Sequence, residues 1–138
     1  MMPAALRQPS VAPSESEVAA AGLRAFLRMG DLWQLNTEQR LRLLGDPPRS
    51  TYFAWRAHPE RARLSRDTLE RLSTLLGVWK ALQILFPDPA RADAWLHKPN
   101  AAAPFGGRSA LERMLDGNVG DLHAVRRYLD AVRGGGWS

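Results

Sequence analysis

Signals for the starts and ends of helices recur along this chain of 138 residues, and they constrain its fold more than any other feature. Ser14 and Ser109 each stand three residues before a glutamate, which is the spacing of a capping box at a helix start. Gly45 and Gly117 follow apolar residues and supply the left-handed conformation that ends a helix. Between these signals, apolar residues recur at steps of three or four, and the alternation typical of strands is almost missing. The sequence therefore predicts an all-α protein.

Three helices are predicted in the first half of the chain. The first spans residues 15–29 and ends at Gly30, and either Asn36 or Thr37 caps a short second helix. Two prolines follow the second helix; they cannot extend it but can begin a third, which we place at residues 49–56. Two short helices joined by a tight turn are the elements of a helix-turn-helix.

Two apolar stripes dominate the second half of the chain. Ser65 caps a long helix that ends before Pro87, and the apolar residues of this helix are Leu69, Leu72, Leu76, Trp79, Leu82 and Phe86. The last helix begins at Asp121, and the residues on its predicted buried face are Leu122, Val125, Leu129 and Val132. Because the long helix is apolar to its end, we expect a helix-turn-helix unit, residues 14–86, packed on a small C-terminal helical domain, residues 87–138.

Residue types that the sequence lacks exclude most catalytic and metal-binding chemistry. The chain has no Cys, so thiolate catalysis and a Cys-ligated zinc site are excluded. His58, His97 and His123 lack the spacing that would place two ligands on one helix face. Neither a Gly-x-Ser-x-Gly segment nor a phosphate-binding loop with Lys is present. We therefore expect no catalytic residue, no metal and no cofactor.

The N-terminal segment and the hydropathy of the chain bear on its location. Residues 1–13 are rich in Ala, Pro and Ser, which is typical of a disordered tail, and they lack the apolar core of a signal peptide. No segment approaches the ~20 apolar residues that span a bilayer. Together with the absence of Cys, this predicts a cytoplasmic protein without a membrane partner.

A basic segment coincides with the predicted third helix. The formal net charge of the chain is +5, and residues 49–71 hold six Arg against three acidic residues. Such a patch can meet nucleic-acid phosphates, although a charge cluster of this kind is also compatible with a solvated helix face.

Five residues of the third helix are candidates for DNA contact. Arg49, Ser50 and Thr51 lie in its first turn, where backbone N–H groups and the helix dipole favour a phosphate. Tyr52 and Arg56 are four residues apart and are predicted to share a face of the helix.

The other residues of this helix limit how it can bind DNA. It contains neither Asn nor Gln, so contacts from Arg to guanine are the favoured direct readout of sequence. Phe53 and Trp55 cannot both join the DNA-facing side, so at least one is expected to anchor the helix in the core. An ordinary short surface helix is the alternative interpretation.

A set of turn, cap and apolar residues in the last third of the chain carries a family resemblance. The residues are Trp95, Pro99, Asn100, Phe105, Gly106, Gly107, Arg108, Ser109, Leu111, Tyr128 and Leu129, followed by a glycine-rich end. In this order they resemble the C-terminal toxin-binding domain of the Xre/MbcA/ParS antitoxins, and the resemblance covers residues 65–138. Leu43-Leu44-Gly45 followed by residues 49–56 is similar to the Xre-type helix-turn-helix that precedes this domain.

The resemblance implies a function in a toxin–antitoxin pair. In this family the C-terminal domain binds a cognate toxin, most often a RES-domain enzyme that consumes NAD or uses it for ADP-ribosylation, and the paired genes are self-regulated. This chain is therefore expected to hold such a toxin inactive by blocking its active site, and to bind its own promoter DNA. We expect a homodimer within the toxin–antitoxin complex, because helix-turn-helix proteins gain affinity by covering two half-sites.

The end of the chain supplies the main candidates for toxin contact. Arg133, Trp137 and the carboxylate of Ser138 are expected to reach the toxin, with Arg126 and Arg127 flanking the contact. The glycines that precede Trp137 are costly to order and build no core, so a large aromatic residue beyond them suits insertion into a partner's cleft. The alternative is that Trp137 folds back on the last helix.

Asn100 and Arg108, in the segment before the helix start at Ser109, are further candidates for toxin contact. Asn100 also has a structural interpretation, since its side chain suits a turn, and the Gly-Gly pair before Arg108 allows positive φ. Two other functions remain open: a DNA-binding transcriptional regulator whose C-terminal domain only dimerises, and a helical adaptor. An adjacent toxin gene distinguishes the antitoxin from the regulator.

Overall fold

The computed structural model describes residues 14–134 and shows seven α-helices in that range. They are α1 (Glu15–Leu32), α2 (Thr37–Leu43), α3 (Arg49–Ala57), α4 (Arg66–Leu85), α5 (Pro89–Trp95), α6 (Ala110–Met114) and α7 (Val119–Gly134). A short 3-10 helix, Pro59–Arg61, lies between α3 and α4. Extended backbone pairs within residues 14–134 only as an isolated bridge between Pro99 and Ser109. The predicted all-α class is confirmed.

α1 is longer than predicted, because Gly30 does not end it. The helix continues to Leu32, and Gly30 is buried within it. A Cβ at Gly30 would lie 2.8 Å from Cζ of Arg40, whose guanidinium donates to Asp31 at 2.8 Å and so joins the end of α1 to α2. The glycine is therefore required by the close approach of an arginine and not by a helix stop.

α2 and α3 form the predicted helix-turn-helix. Asn36 accepts a hydrogen bond from the N–H of Gln39 at 2.8 Å, and the Gln39 side chain accepts from the N–H of Asn36 at 2.9 Å, so a complete capping box begins α2. Gly45 (φ 92°) and Asp46 (φ 58°) take the left-handed conformation that turns the chain toward α3.

α4 packs against both α1 and α7, and this position changes the prediction for its buried face. The fully buried apolar residues of α4 are Leu72, Leu75, Val78, Ala81 and Leu82. Leu69 is 39% exposed, and Leu76 and Trp79 are half-buried, so the predicted single stripe is wrong. A helix with neighbours on two sides buries more of its circumference than one stripe covers.

α7 begins before Asp121 and extends beyond the core. It starts at Val119, and the carboxylate of Asp121 accepts from the N–H of Asn118 at 3.1 Å, so Asp121 stabilises the helix start from within the first turn. Three residues of α7 are buried as predicted: Leu122, Val125 and Leu129. Val132 is 50% exposed, which corrects the prediction that it is buried, because the core covers the last turn of α7 only in part.

Buried residues from both predicted units belong to one hydrophobic core. Phe26 and Trp33 of α1 contribute to it from the helix-turn-helix unit, and Leu96 and Met114 contribute from the C-terminal domain. The two units therefore pack on each other, as the apolar end of α4 predicted.

Candidate functional site

α3 presents most of its predicted DNA-contact residues to solvent. Arg49, Ser50 and Arg56 are exposed, and Thr51 is half-buried. No side chain in residues 14–134 caps the start of α3, which follows Pro48, so its first N–H groups have no side-chain acceptor in that range. An uncapped helix start with hydroxyl and guanidinium groups beside it suits a DNA phosphate.

Tyr52 is an exception, and its predicted role in DNA contact is wrong. The residue is 1% exposed and belongs to the core. Trp55 packs partly buried against the same core, so it is the anchor that was expected from the pair Phe53 and Trp55. Because a tyrosine that faces the core cannot also reach a phosphate or a base edge, Tyr52 anchors α3.

Phe53 lies on the exposed side of α3, and the sequence analysis did not select it. It is 41% exposed, and Cζ of Arg49 lies 5.9 Å from the centre of its ring. Arg49, Phe53 and Ser50 fall within about 100° of the helix circumference, since successive residues are 100° apart. Phe53 therefore adds an apolar group to this face, of the kind that contacts a thymine methyl. The helical period identifies it only once Tyr52 is known to be buried.

Arginines near α3 differ in whether a carboxylate neutralises them. Arg49 pairs with Glu38 of α2, and this ion pair joins the two helices of the helix-turn-helix. Three others are exposed and form no ion pair with any residue of the described range 14–134: Arg56, Arg61 and Arg63. The basic character predicted for residues 49–71 is thus present at the surface beside α3.

In the loop between α5 and α6, two predicted toxin contacts already have partners within the chain. Oδ1 of Asn100 accepts from the N–H of Ala102 at 2.9 Å. The Arg108 guanidinium donates to both carboxylate oxygens of Asp116, at 3.1 and 2.7 Å. This pair raises the pKa of Arg108 and lowers the pKa of Asp116. Both side chains therefore shape the loop.

An apolar groove of about 250 Å³ lies where the end of α4, α5 and α7 meet, and it is lined by Leu85, Phe86, Trp95, Tyr128, Leu129 and Val132. The rings of Trp95 and Tyr128 stack with their centroids 6.2 Å apart, and Phe105 packs edge-on against both. The family resemblance included Trp95 and Tyr128. Nothing local in the sequence indicates that they line one groove, because they are brought together by tertiary packing.

The predicted toxin-contact arginines of α7 have different surroundings. Arg126 lies against Gly77 of α4, where any Cβ would overlap its guanidinium, and it bonds Asp130 at 3.2 Å. Arg133 also pairs with Asp130, at 3.7 Å, whereas Arg127 is exposed and has no ion pair in the part of the chain that the structure describes. Two further predicted contacts lie outside the described residues: Trp137 and Ser138.

Metal-ligating side chains do not gather in residues 14–134, where no group of three His, Cys, Asp or Glu could hold an ion. His123, for example, pairs singly with Glu70 at 2.6 Å. Over the same residues, no helix is both long enough and apolar enough to cross a membrane.

Comparison with known proteins identifies both halves of the chain. Residues 12–77 match the antitoxin Xre-like helix-turn-helix domain, and residues 81–135 match the antitoxin Xre/MbcA/ParS C-terminal toxin-binding domain. The junction between the two matches falls within α4. The chain is also similar to the uncharacterized protein y4oB of Sinorhizobium fredii, with 48% identity over 122 residues that cover 88% of this chain and 92% of that protein.

The two matched domains together indicate the partners of this chain. A helix-turn-helix implies DNA as a partner, a toxin-binding domain implies a cognate toxin, and domains of both kinds are typically without enzymatic activity. Their succession along one all-α chain, with an exposed α3 in the first and an apolar groove in the second, supports the role of an antitoxin. The protein belongs to the Xre/MbcA/ParS antitoxin family.

Proposed function

We propose that this chain neutralises a RES-type, NAD-consuming toxin by blocking its active site, as the antitoxin of a type II toxin–antitoxin pair, and that it represses its own promoter. The observation that carries the proposal is the presence of an Xre-like helix-turn-helix and a toxin-binding domain on one chain. The RES type of the toxin and the repression of the promoter are what the family resemblance implies.

The first turn of α3 supports the DNA-binding part of the proposal. We assign Arg49, Ser50 and Thr51 to the DNA contact, because their N–H groups and polar side chains surround an uncapped helix start. Arg56 extends the contact along the exposed side, and Phe53 adds an apolar contact to a base.

A homodimer fits this mode of DNA binding. Two copies of α3 reach two half-sites when they are about 34 Å apart along the duplex, so dimerisation doubles the contact with an operator. Binding to promoter DNA also places the site of action in the cytoplasm.

The apolar groove supports the toxin-binding part of the proposal. Rigid, partly exposed aromatic side chains such as Trp95 and Tyr128 are typical of interface cores, and half-exposed Val132 extends the groove toward the end of α7. Arg127 and Arg133 lie on α7 with these residues, so we assign both to the rim of the toxin contact.

α7 is described as far as Gly134, two residues beyond Val132 of the groove. We assign Trp137 and the carboxylate of Ser138 to the toxin's active-site entrance, which they would obstruct. Asn100, Arg108 and Arg126 then contribute by holding the neighbouring surface in shape, because Asn100 and Arg108 fix the loop between α5 and α6 and Arg126 lies against Gly77 of α4.

Co-expression with the neighbouring open reading frame tests the proposal. We expect the neighbour alone to arrest growth and to deplete cellular NAD, and this chain to restore both when co-expressed. A tag on this chain is expected to retain the neighbour's product during purification. A harmless neighbour, or one that this chain neither binds nor silences, excludes the antitoxin function.

A shortened chain tests the role assigned to the last residues. Truncation after Val132 and the point variant Trp137→Ala are both expected to abolish growth rescue. Arg28→Ala is the control, because this arginine is exposed on α1, which does not line the groove, and it forms no ion pair within the described residues. Full rescue by the truncated chain would exclude the tail from neutralisation.

A further inference from the structure

Two arginines of the helix-turn-helix unit hold three consecutive backbone carbonyls of the C-terminal domain. Arg42 of α2 donates from Nε to the carbonyl of Leu115 at 3.1 Å and from Nη2 to the carbonyl of Asp116 at 2.9 Å. Arg71 of α4 donates from Nη1 to the carbonyl of Gly117 at 3.0 Å. These carbonyls follow the last turn of α6, where unpaired C=O groups favour a cationic partner.

The same two arginines also hold the turn between α2 and α3. Nη1 of Arg42 donates to Oδ2 of Asp46 at 2.8 Å. Nε of Arg71 lies 3.0 Å from the position that a Cβ of Gly45 would occupy, so its side chain covers this glycine. Both left-handed residues of the turn are thus contacted by an arginine that also donates to a carbonyl in residues 115–117. Arg71 donates in addition to Asp67 of its own helix at 2.8 Å.

α3 has few other anchors. Tyr52 is its one buried residue in the described structure, Trp55 is partly buried, and no side chain caps the first turn. A helix with so few core contacts takes its direction largely from the turn that leads into it. Contacts to base edges require side chains to be held within about 0.5 Å of the productive position, so a displaced turn removes them.

We infer that Arg42 is a positioning residue for DNA binding. Through the carbonyls of Leu115 and Asp116, the C-terminal domain fixes the turn of the helix-turn-helix and thereby the orientation of α3. The inference rests on the proposed DNA-binding function. It also means that residues 12–77, although they match a complete helix-turn-helix domain, lack the carbonyls that hold their own turn.

Gly117 allows a test that leaves the charge unchanged. Its φ is 97°, and a Cβ at this position would lie 2.5 Å from Cζ of Arg42, so Gly117→Ala displaces the guanidinium. Gly107 supplies a matched control for DNA binding, because its φ is 93° and nothing lies within 4 Å of its Cβ position. Both variants place alanine in a left-handed conformation, so the difference between them reports the displacement of Arg42 together with any change at the Gly117 carbonyl that Arg71 holds.

The readout is the affinity of the full-length variants for a duplex taken from the region directly upstream of the gene, measured by fluorescence anisotropy. We expect Gly117→Ala to bind about tenfold more weakly than Gly107→Ala. The dependence of affinity on salt concentration should stay the same, because the phosphate contacts themselves remain. Equal affinities of two folded variants overturn the inference.

Asp46→Gly keeps the test decisive if Gly117→Ala does not fold. Glycine adopts the φ of 58° without strain, and the loss of a carboxylate near α3 favours DNA binding by electrostatics alone. A positioning role for Arg42 predicts weaker binding instead, because the guanidinium loses the partner through which it holds the turn. Tighter binding by Asp46→Gly overturns the inference.

Amide hydrogen exchange of the free protein separates this inference from the proposed function. We expect the N–H groups of Gly45 and Asp46 to exchange faster in Gly117→Ala than in Gly107→Ala. If the wild-type chain binds no promoter DNA while this difference in exchange is seen, the contact of Arg42 with the turn is supported and the proposed DNA-binding function is excluded. Equal exchange in the two variants overturns the inference whether or not DNA binds.

Discussion

α3 and the loop between α5 and α6 were both predicted to meet a partner, and they are built in opposite ways. α3 leaves Arg49, Ser50 and Phe53 at the surface and buries Tyr52. The loop is tied to itself: the N–H of Asn100 donates to the carbonyl of Arg108 at 3.0 Å, and both side chains have partners within the chain.

A residue that carries the family resemblance is therefore not necessarily one that is available to a partner. Asn100 and Arg108 carry the family resemblance, and in this chain both side chains have a structural role in the loop. Exposed polar side chains that have no partner within residues 14–134 are better candidates for binding, and they include Ser50 and Arg56 of α3 and Arg127 of α7. In the C-terminal domain, the apolar groove beside α7 adds a surface of partly exposed aromatic side chains. Four predictions test this distinction.

Tyr52 gives the largest expected effect, because it decides which side of α3 faces the core. We expect Tyr52→Ala to lower the free energy of unfolding by about 3–5 kcal/mol, measured by denaturant titration. Tyr52→Phe should be as stable as the wild type and bind promoter DNA equally well, since the hydroxyl has no hydrogen-bond partner in the described structure. If Tyr52→Phe is stable but loses DNA affinity, the hydroxyl of Tyr52 contacts DNA and the assignment of Tyr52 to the core side of α3 is contradicted.

Arg49 tests the exposed side of the same helix. We expect Arg49→Ala to weaken binding to promoter DNA by about 1–3 kcal/mol. Its ion pair with Glu38 is exposed, so the free energy of unfolding should change little. Arg91→Ala removes the same charge from α5 and serves as the control. Equal losses of affinity in the two variants would show that the effect comes from net charge and not from a contact of Arg49 with DNA.

Val132 tests whether the toxin contacts the apolar groove and not the loop between α5 and α6. We expect Val132→Gln to weaken toxin binding about tenfold, because it places a polar amide in the contact, and to leave DNA affinity unchanged. Val18→Gln is the matched control, since Val18 of α1 is similarly exposed, 54% against 50%, and lies outside the groove. Isothermal titration of the purified toxin distinguishes the two variants, and unchanged affinity in Val132→Gln argues against the groove.

Arg108 gives the smallest expected effect, which depends on pH. Arg108 lowers the pKa of Asp116 below its ordinary value of 3.8, so the pair stabilises the fold above that pH and loses its effect as the pH falls through the lowered pKa. We therefore expect Arg108→Ala to be slightly less stable than the wild type at neutral pH, with the difference shrinking below pH 3.8. A difference that persists or grows in acid contradicts a role through Asp116.

Much of the fold could be predicted because helix starts are local. The side chains of Asn36, Ser65 and Ser109 each accept from an N–H three residues later, and this spacing is visible in the sequence. The prediction for Gly30 is wrong because its neighbour Arg40 arrives through tertiary packing.

The candidate site was predicted less completely, since burial is decided by neighbours. Tyr52 and Phe53 are adjacent aromatic residues, and only the packing of α3 shows that the first is buried and the second is exposed. The apolar groove joins residues from three helices, and no local pattern reports such a surface.

We propose that this chain silences an NAD-consuming partner through α7 and the residues after it. The most direct test is NAD turnover by the purified product of the neighbouring gene, titrated with the full-length chain. We expect turnover to fall to background at saturation with the wild-type chain and to persist with Trp137→Ala. NAD turnover that continues unchanged in a saturated wild-type complex would contradict this proposal.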